Sequence, residues 1–219
     1  MAQVQALASL RQFVGFDAIP ENYAIDGELT YQPAMLSEDD LKMMALRDRP
    51  DYHEAVLGVT AAQSQLTLAR ADAKQDVSVG FNYSHLGSLN TGSFFGSIGL
   101  PIFNRNQGEI ARTQYAITQA QETQSATSEG VLSDVINAYE SLRTNDQIVN
   151  LFTGGYLKQA TDSRDISQYA YMRGAASLLD FLDAERSYRA TQLAYNQALA
   201  AYMLSLEQLR QAVGTRSLP

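Results

Sequence analysis

Hydrophobic and polar residues alternate along two neighbouring segments of the chain, between residues 76 and 103. In the first segment a large row alternates with a small polar row; the large row is Val77, Val79, Phe81 and Tyr83, and the small row is Ser78, Gly80, Asn82 and Ser84. In the second, Phe94, Ile98, Leu100 and Ile102 share one face, and Ser97 and Gly99 share the other. This period of two predicts a β-hairpin with strands of about 9–10 residues, and the segment LGSLNTGS (86–93) is its predicted turn. Such strands are long enough to cross a bilayer, although a soluble hairpin shows the same alternation.

Helical patterns occupy most of the remaining chain. Ser37, followed by three acidic residues, predicts the start of a short helix that ends before Pro50. A second helix is predicted from Asp51 to about Lys74. Residues 105–172 contain no proline and few glycines, so they predict one continuous helix roughly 100 Å long. Gly174 is predicted to end it, and a return helix follows to about Val213.

Two regular patterns predict that the long helices pack side by side as in a coiled coil. A seam with steps of three and four comprises Val135, Ala138, Leu142, Asn145, Val149, Phe152 and Tyr156. In the return helix, a large row at steps of seven (Phe181, Tyr188, Tyr195, Tyr202, Leu209) runs beside a small row (Ala184, Thr191, Ala198, Ser205, Ala212). Large and small rows side by side let neighbouring helices interdigitate closely. The predicted fold is therefore mainly α, with long antiparallel helices and one β-hairpin.

The two ends of the chain resemble each other. Residues 8–20, ASLRQFVGFDAIP, and residues 207–219, EQLRQAVGTRSLP, share six identities at a constant offset of 199. Both segments look like a helix end, with glycine at the cap and proline beyond it. Chance similarity of helix ends is one interpretation. The other is that the chain holds the end of a first repeat followed by one complete repeat, as the C-terminal half of a longer protein.

The composition restricts the possible functions. The net charge is −8 and the sequence has no basic stripe, so no nucleic-acid partner is expected. The absence of cysteine excludes disulfides, thiolate metal sites and a thiol nucleophile. His53 and His85 are interpreted as isolated surface residues. No catalytic motif, metal site or cofactor is predicted, so the protein is expected not to be an enzyme.

Three segments resemble the TolC-like outer-membrane efflux proteins, also called outer-membrane factors. ALRDRPDYHEAV (45–56) resembles the segment leading into the helix before that family's second hairpin. GLPIFNRNQGEIARTQYA (99–116) resembles its junction between the last strand and the longest helix. YMRGAASLLDFLDAERSY (171–188) is similar to its turn at the periplasmic end of the helical hairpin. Their order agrees with the family's second, C-terminal repeat, and the junction is most similar to the branch that serves heavy-metal-exporting pumps of the resistance–nodulation–division type.

The resemblance implies a homotrimer in the outer membrane of a Gram-negative-type bacterium, extending into the periplasm. Each full protomer of the family gives four strands to a twelve-stranded barrel, and this chain has two of those four. The implied regions are the end of a first-repeat helix (1–15), an equatorial linker with a short helix (16–50), a helix (51–75), the outer-membrane β-hairpin (76–103), the long periplasmic helix (104–173) and the return helix with the C-terminal end (174–219). The implied partners are a periplasmic adaptor (membrane fusion protein), an inner-membrane pump and outer-membrane lipid.

The resemblance also implies roles for individual residues. Asp180 and Asp183 lie three residues apart, so they are predicted to share one helix face just after the turn at Gly174. They match aspartates that line the family's periplasmic constriction, where a ring of carboxylates would attract cations. The adaptor-docking tip would comprise Tyr171, Arg173, Gly174, Ala175 and Ala176. The family's well-studied member has an arginine where Ala176 stands; Arg173, Tyr171 or Arg186 are the candidate replacements. The lipid-facing row would be Val77, Val79, Phe81 and Tyr83. From the residues alone, two solvated acids near a helix N-terminus and a plain helix–turn–helix remain alternatives.

The function that the resemblance implies is a passive duct exporting small molecules or metal cations across the outer membrane within a tripartite efflux system. A duct for type I protein secretion is one alternative. A non-membrane coiled-coil adaptor or scaffold is another, in which the apolar face of the hairpin would pack on the protein's own helices.

Overall fold

The computed structural model describes residues 2–15, 18, 20, 23–25, 27, 29–33, 37–74, 76–99 and 103–218. The elements in chain order are α1 (Ala2–Val14), α2 (Glu38–Asp48), α3 (Pro50–Asp72), β1 (Val77–Leu86), β2 (Leu89–Ile98), α4 (Gln107–Leu151), a π-helical segment (Phe152–Tyr156), α5 (Leu157–Met172) and α6 (Leu178–Val213). The predicted fold class, mainly α with one β-hairpin, is confirmed. Within these described ranges, no helix is both long enough and apolar enough to cross a membrane.

The chain separates into two compact units, residues 1–32 and 33–219. In the first unit, α1 ends at Gly15, whose N–H donates to the carbonyl of Arg11 at 2.9 Å. In the second, α6 ends at Gly214, whose N–H donates to the carbonyl of Arg210 at 3.0 Å. These are equivalent positions of the two similar end segments, and both glycines have positive φ, +106° and +77°. Both segments therefore end a helix at a glycine of positive φ that donates to the carbonyl of an arginine four residues earlier. Pro219 of the second segment lies outside the described residues.

The strands β1 and β2 form a two-stranded antiparallel sheet, paired from Val77–Ile98 at the open end to Leu86–Leu89 at the closed end. The turn is only Gly87–Ser88, with φ of +63° at Gly87. The predicted turn over 86–93 was therefore too long. Residues 90–93 are polar or small and resemble a loop, but they continue the ladder after Leu89 because each pairs with β1. Leu100 and Ile102, predicted to extend the apolar face, lie outside the described residues.

The start of α4 is held against the C-terminal end of α3 by Asn106. Asn106, which precedes α4, has a left-handed conformation with φ of +57°. Its Nδ2 donates to the carbonyl of Ala69 near the end of α3 at 2.9 Å, and its own N–H donates to Oδ1 of Asn104 at 2.9 Å. This side chain ties the start of α4 to the C-terminal end of α3.

The predicted single helix over 105–172 is interrupted. Between α4 and α5, residues 152–156 adopt a π-helical segment, and Gly155 has φ of +155° and ψ of −25°. Glycine lacks Cβ and tolerates this conformation, whereas a continuous α-helix does not contain it. The π segment also shifts the helix face. Tyr156, predicted to belong to the buried seam, is consequently 60% exposed.

The heptad rows of α6 do face its neighbours. All ten of their members are buried or half-buried. The helix α4 packs against α2, α3 and α6, while α5 packs against α6. The buried apolar side chains of these helices are Leu41 and Ala45 of α2, Ala62 and Ala69 of α3, Val131, Val135, Leu142 and Val149 of α4, and Leu199, Tyr202, Leu209, Ala212 and Val213 of α6.

Arg49 joins three helices at the C-terminal end of α6. It is extended, with ψ of 125°, as expected for a residue before proline. Its guanidinium donates to both carboxylate oxygens of Asp51 at 3.0 and 2.6 Å, to Oδ2 of Asp134 in α4 at 3.0 Å, and to the carbonyl of Ala212 in α6 at 3.1 Å. Hydrogen bonding to this guanidinium lowers the pKa of Asp51. The sequence analysis did not single out Arg49, because Asp134 and Ala212 are distant in the sequence.

Candidate functional site

One candidate site is the large-residue face of the hairpin. Val77, Val79, Phe81 and Tyr83 lie on this face and are 59–79% exposed. Opposite Phe81 lies Phe94, and their rings pack at a centroid distance of 4.7 Å. The described helices do not cover this row, which is therefore available to an apolar environment outside the chain.

Among the described strand residues that precede the Leu86–Leu89 pair at the turn, the opposite face of the hairpin is small and polar, with Phe95 as the one exception. Ser78, Gly80 and Asn82 pair with Ser97, Phe95 and Ser93. The alternation of the two faces is thus as the sequence predicted. Phe95 does not follow this alternation and was not predicted to lie on the polar face. The sequence contains a signal for it, because a large apolar residue stands at a position of β2 where the alternation predicts a small polar one.

Polar groups cluster near the turn of the hairpin. Nδ1 of His85 lies 2.5 Å from Oδ1 of Asn90, and the hydroxyl of Tyr83 donates to the same oxygen at 2.7 Å. His53 lies 2.5 Å, through Nε2, from the carbonyl of Arg47. Both histidines are exposed, as the sequence predicted, and each has a local hydrogen-bonding partner. No cluster of three or more potential metal-ligating His, Cys, Asp or Glu residues occurs in the part of the chain that the structure describes.

The second candidate site is the turn between α5 and α6. The helix α5 ends at Met172, Arg173 caps it, and the next residue, Gly174, has φ of +72°. The N–H of Ala175 donates back to the carbonyl of Ala170 at 2.8 Å, which closes the turn. Gly174 and Ala175 are exposed and Ala176 is half-buried. The turn thus presents backbone and small side chains to the outside.

Aromatic residues support this turn from both helices. The ring of Tyr171 stacks on that of Phe181 at 5.8 Å, with an angle of 6° between the rings. The guanidinium of Arg173 lies 5.2 Å from the centre of the Tyr169 ring. Of the three candidate replacements for an arginine at position 176, Tyr171 therefore contacts α6, and Arg173 contacts its own helix. The third, Arg186, is paired with Asp183.

Asp180 and Asp183 both lie in the first turns of α6, where each has a local partner. Asp180 forms a capping box with Ser177: its Oδ2 accepts from the Ser177 N–H at 3.0 Å and from the hydroxyl at 2.8 Å, and its N–H donates to that hydroxyl at 3.2 Å. The hydrogen bond with the Ser177 hydroxyl, and to a smaller extent that with the Ser177 backbone N–H, lowers the pKa of Asp180. Asp183 accepts from Nη1 of Arg186 at 2.9 Å.

The geometry therefore holds one ionised carboxylate rigidly at the helix start and a second beside an exposed arginine. The sequence analysis predicted that Asp180 and Asp183 share a helix face but missed the role of Ser177. The spacing Ser-x-x-Asp was the available signal, because it is the pattern of a capping box.

Comparison with known proteins identifies relatives of the chain. Residues 41–215 match the family model of outer membrane efflux proteins. The chain is 34% identical over 172 residues to the cation efflux system protein CusC of Escherichia coli (strain K12), an alignment that covers 69% of this chain and 35% of CusC. It is 24% identical over 192 residues to the outer membrane protein TolC of the same strain, covering 85% of this chain and 38% of TolC.

The fold also matches that of solved structures. The open state of the MtrE outer membrane channel of Neisseria gonorrhoeae superposes with a TM-score of 0.70 at 22% sequence identity, covering 90% of this chain and 47% of that one. The chain thus spans between 35% and 47% of the length of these three relatives. The three segments 45–56, 99–116 and 171–188 all lie within the matched range 41–215.

Proposed function

Because the chain belongs to the outer membrane efflux protein family, we propose that it forms part of a passive channel that exports small molecules or metal cations across the outer membrane of a Gram-negative-type bacterium. The similarity to CusC, a cation efflux system protein, supports cations as the exported class. Transport through such a channel needs no catalytic residue. The protein acts as a homotrimer, together with a periplasmic adaptor and an inner-membrane pump that supplies the energy.

The observation that carries the proposal is the contrast between the two faces of the hairpin. A row of four large side chains is 59–79% exposed in the described structure. If the hairpin packed on its own helices, as in a soluble scaffold, this row would be covered. Fully burying one such side chain is worth about 1.5–3 kcal/mol, so leaving four exposed to water is unfavourable. Contact with lipid removes this cost, and the row of Ser78, Gly80 and Asn82 then faces the channel lumen.

Spin labels test this assignment in the protein reconstituted into liposomes. Labels introduced singly at Val77, Val79 and Phe81 are expected to be accessible to oxygen, which partitions into lipid. Labels at Ser78 and Asn82 are expected to be accessible to a water-soluble nickel chelate. Equal accessibility of the two rows to both reagents would contradict the membrane assignment and favour a soluble scaffold.

The regions of the chain have distinct roles in this proposal. The hairpin (76–103) lies in the outer membrane, and the helices of 104–173 and 174–219 extend into the periplasm. Residues 51–75 form the helix that leads into the hairpin, 16–50 form an equatorial linker, and 1–15 end a first-repeat helix. The exposed turn of Tyr171, Arg173, Gly174, Ala175 and Ala176 is the adaptor-docking tip, and its small residues support close approach of a second helical hairpin.

Asp180 and Asp183 form the constriction at the periplasmic end. In a trimer, their carboxylates would crowd one narrow opening and attract cations. The capping box supports this role, because it holds Asp180 in one position. The lowered pKa of Asp180 keeps its charge at neutral pH, which opposes the rise in pKa expected from neighbouring carboxylates.

Bilayer recordings of the protein test the constriction. The double substitution Asp180→Asn, Asp183→Asn is expected to weaken both cation selectivity and block by multivalent cations. Asp162→Asn is the matched control, because Asp162 is an exposed aspartate of α5. Ser177→Ala releases the Asp180 carboxylate from its cap without removing a charge, so it should lower cation selectivity, but by less than the double substitution. Unchanged selectivity in the double variant, or an equal change in Asp162→Asn, would contradict the assignment.

A further inference from the structure

Phe95 lies on the polar face of the hairpin, where its neighbours are small. Its pair partner across the sheet is Gly80, and the adjacent pairs on this face are Ser78–Ser97 and Asn82–Ser93. Among the described strand residues of this face, it is the one large apolar side chain before the Leu86–Leu89 pair at the turn. It is 58% exposed.

The ring of Phe95 lies over Gly80. A Cβ atom at position 80 would fall 2.4 Å from Cζ of Phe95, and 2.8 and 2.9 Å from its two Cε atoms. The ring therefore lies across strand β1 and occupies the space of the missing side chain. An aromatic residue that covers a glycine in this way also stabilises the sheet. By contrast, a Cβ at Gly96 on the other face would meet no atom closer than 3.9 Å.

We propose that Phe95 contacts solutes in the channel lumen and that Gly80 keeps its ring against the wall. This inference rests on the proposed channel function, in which the polar face lines the lumen. One face of the ring covers Gly80 and the other is directed away from the sheet. The face of an aromatic ring attracts cations, above all weakly hydrated organic cations. In a homotrimer, three such rings line one level of the lumen and favour organic cations over small hydrated ions.

Block of the potassium current by tetraethylammonium tests the contact in planar bilayers containing the purified protein. Phe95→Ser removes the ring, and Phe95→Leu keeps an apolar side chain without a π face. A cation–π contact at an exposed site is worth about 0.5–1 kcal/mol, so both variants should lower the apparent affinity for tetraethylammonium about two- to fivefold. Loss of affinity in Phe95→Ser but not in Phe95→Leu would contradict a cation–π contact.

Substitution of Gly80 tests the position of the ring. Gly80→Ala forces the ring off the wall and into the lumen, so it should lower the potassium conductance. The double variant Gly80→Ala, Phe95→Ser should regain the conductance of Phe95→Ser. Gly96→Ala lies on the same strand as Phe95 but on the opposite face, and it should conduct like the wild type.

The outcomes separate this inference from the proposed function. A conducting wild-type protein with unchanged affinity in both Phe95 variants, or with unchanged conductance in Gly80→Ala, would overturn the inference alone. A wild-type protein that forms no ion-conducting pore would overturn the channel function, and the role of Phe95 with it.

Discussion

The two halves of α6 carry the same heptad rows but are buried to different degrees. In the C-terminal half, Leu199, Tyr202, Ser205 and Leu209 are each at most 4% exposed. In the described N-terminal half, from Leu178 to Ala198, no residue is buried. The difference lies in the neighbours: α2 and α4 pack against α6, whereas toward the turn α6 has α5 beside it. A heptad pattern determines which face of a helix makes contact, but the number of surrounding helices determines how deeply that face is buried.

The N-terminal half relies on individual contacts instead of a core. Phe181 stacks on Tyr171, the ring of Tyr188 lies 4.2 Å from the Arg164 guanidinium, and Tyr195 packs against Phe152 at 6.1 Å. Regions with few buried apolar contacts open at a lower free energy than a packed core. The proposed constriction and docking tip lie at the N-terminal half of α6. This half can therefore separate from its neighbours without disturbing the core.

The largest effect on the free energy of unfolding is expected from a comparison of two tyrosines in one heptad row of α6. Tyr202 is 1% exposed, whereas Tyr188 is half-buried beside Arg164. Tyr202→Ala should lower the free energy of unfolding by about 3–5 kcal/mol, because it leaves a cavity in the core. Tyr188→Ala should lower it by about 1 kcal/mol, mainly through the lost cation–π contact. Urea denaturation followed by circular dichroism measures both. Equal losses would show that the two halves do not differ in packing.

A second prediction concerns Arg49, which anchors the C-terminal half of α6. Arg49→Met keeps most of the side-chain length but removes the hydrogen bonds to Asp51, Asp134 and the Ala212 carbonyl. The expected loss of unfolding free energy is about 2–3 kcal/mol. Arg189→Met is the control, because Arg189 is exposed and pairs with Glu185 on the same helix at 2.7 Å. A loss as small as that of the control would contradict the anchoring role.

The contribution of Arg49 should also depend on pH. The pKa of Asp51 is lowered in the folded protein, so the corresponding stability is complete above about pH 4. It is lost as the pH falls through the lowered pKa of the folded state. The difference in unfolding free energy between wild type and Arg49→Met should therefore be constant near neutral pH and shrink below about pH 4. A difference that grows on acidification would contradict this assignment.

The smallest effects on stability are expected from substitutions of the two adjacent glycines of the π segment. This segment lies at the boundary between the two halves. Gly155 has φ of +155°, so Gly155→Ala should destabilise the protein by about 1–2 kcal/mol. Gly154 has an open position for a Cβ and no positive φ, so Gly154→Ala should stabilise it by about 0.5–1 kcal/mol. Thermal unfolding of the two variants measures the sign of each effect. Effects of the same sign would show that the interruption at Gly155 does not depend on glycine.

The faces of the hairpin and of α6 could be predicted from the sequence, because both follow from the repeat period of regular backbone. Val79 and Phe81 had to share a face once the segment was a strand. The length of the turn could not be predicted, since residues 90–93 have loop-like side chains and are held in β2 by pairing with β1. The break at Gly155 was also missed. A glycine within a helical pattern is tolerated by most helices, so its presence does not by itself predict a change in backbone conformation.

At the candidate site, the common face of Asp180 and Asp183 followed from helix geometry, and the pairing of Asp180 with Ser177 could have been predicted from their spacing. These interactions are local: the residues lie within one helical turn, so the sequence alone brings them together. Each of the three segments that resemble the family contains a local hydrogen bond of this kind: Arg49 with Asp51, Asn106 with Asn104, and Asp180 with Ser177.

Only the tertiary structure decided which residues far apart in the chain contact each other. Arg49 meets Asp134 and Ala212, Asn106 meets Ala69, and Phe95 covers Gly80. The burial of Tyr202 but not of Tyr188 belongs to the same class, although both occupy one row. Apart from the turn length and the break at Gly155, the sequence by itself determined the helices and strands and the faces that they present, because these depend on neighbours a few residues away. Which faces are covered, and by what, depends on how the helices and strands assemble, and local patterns carry no information on that arrangement.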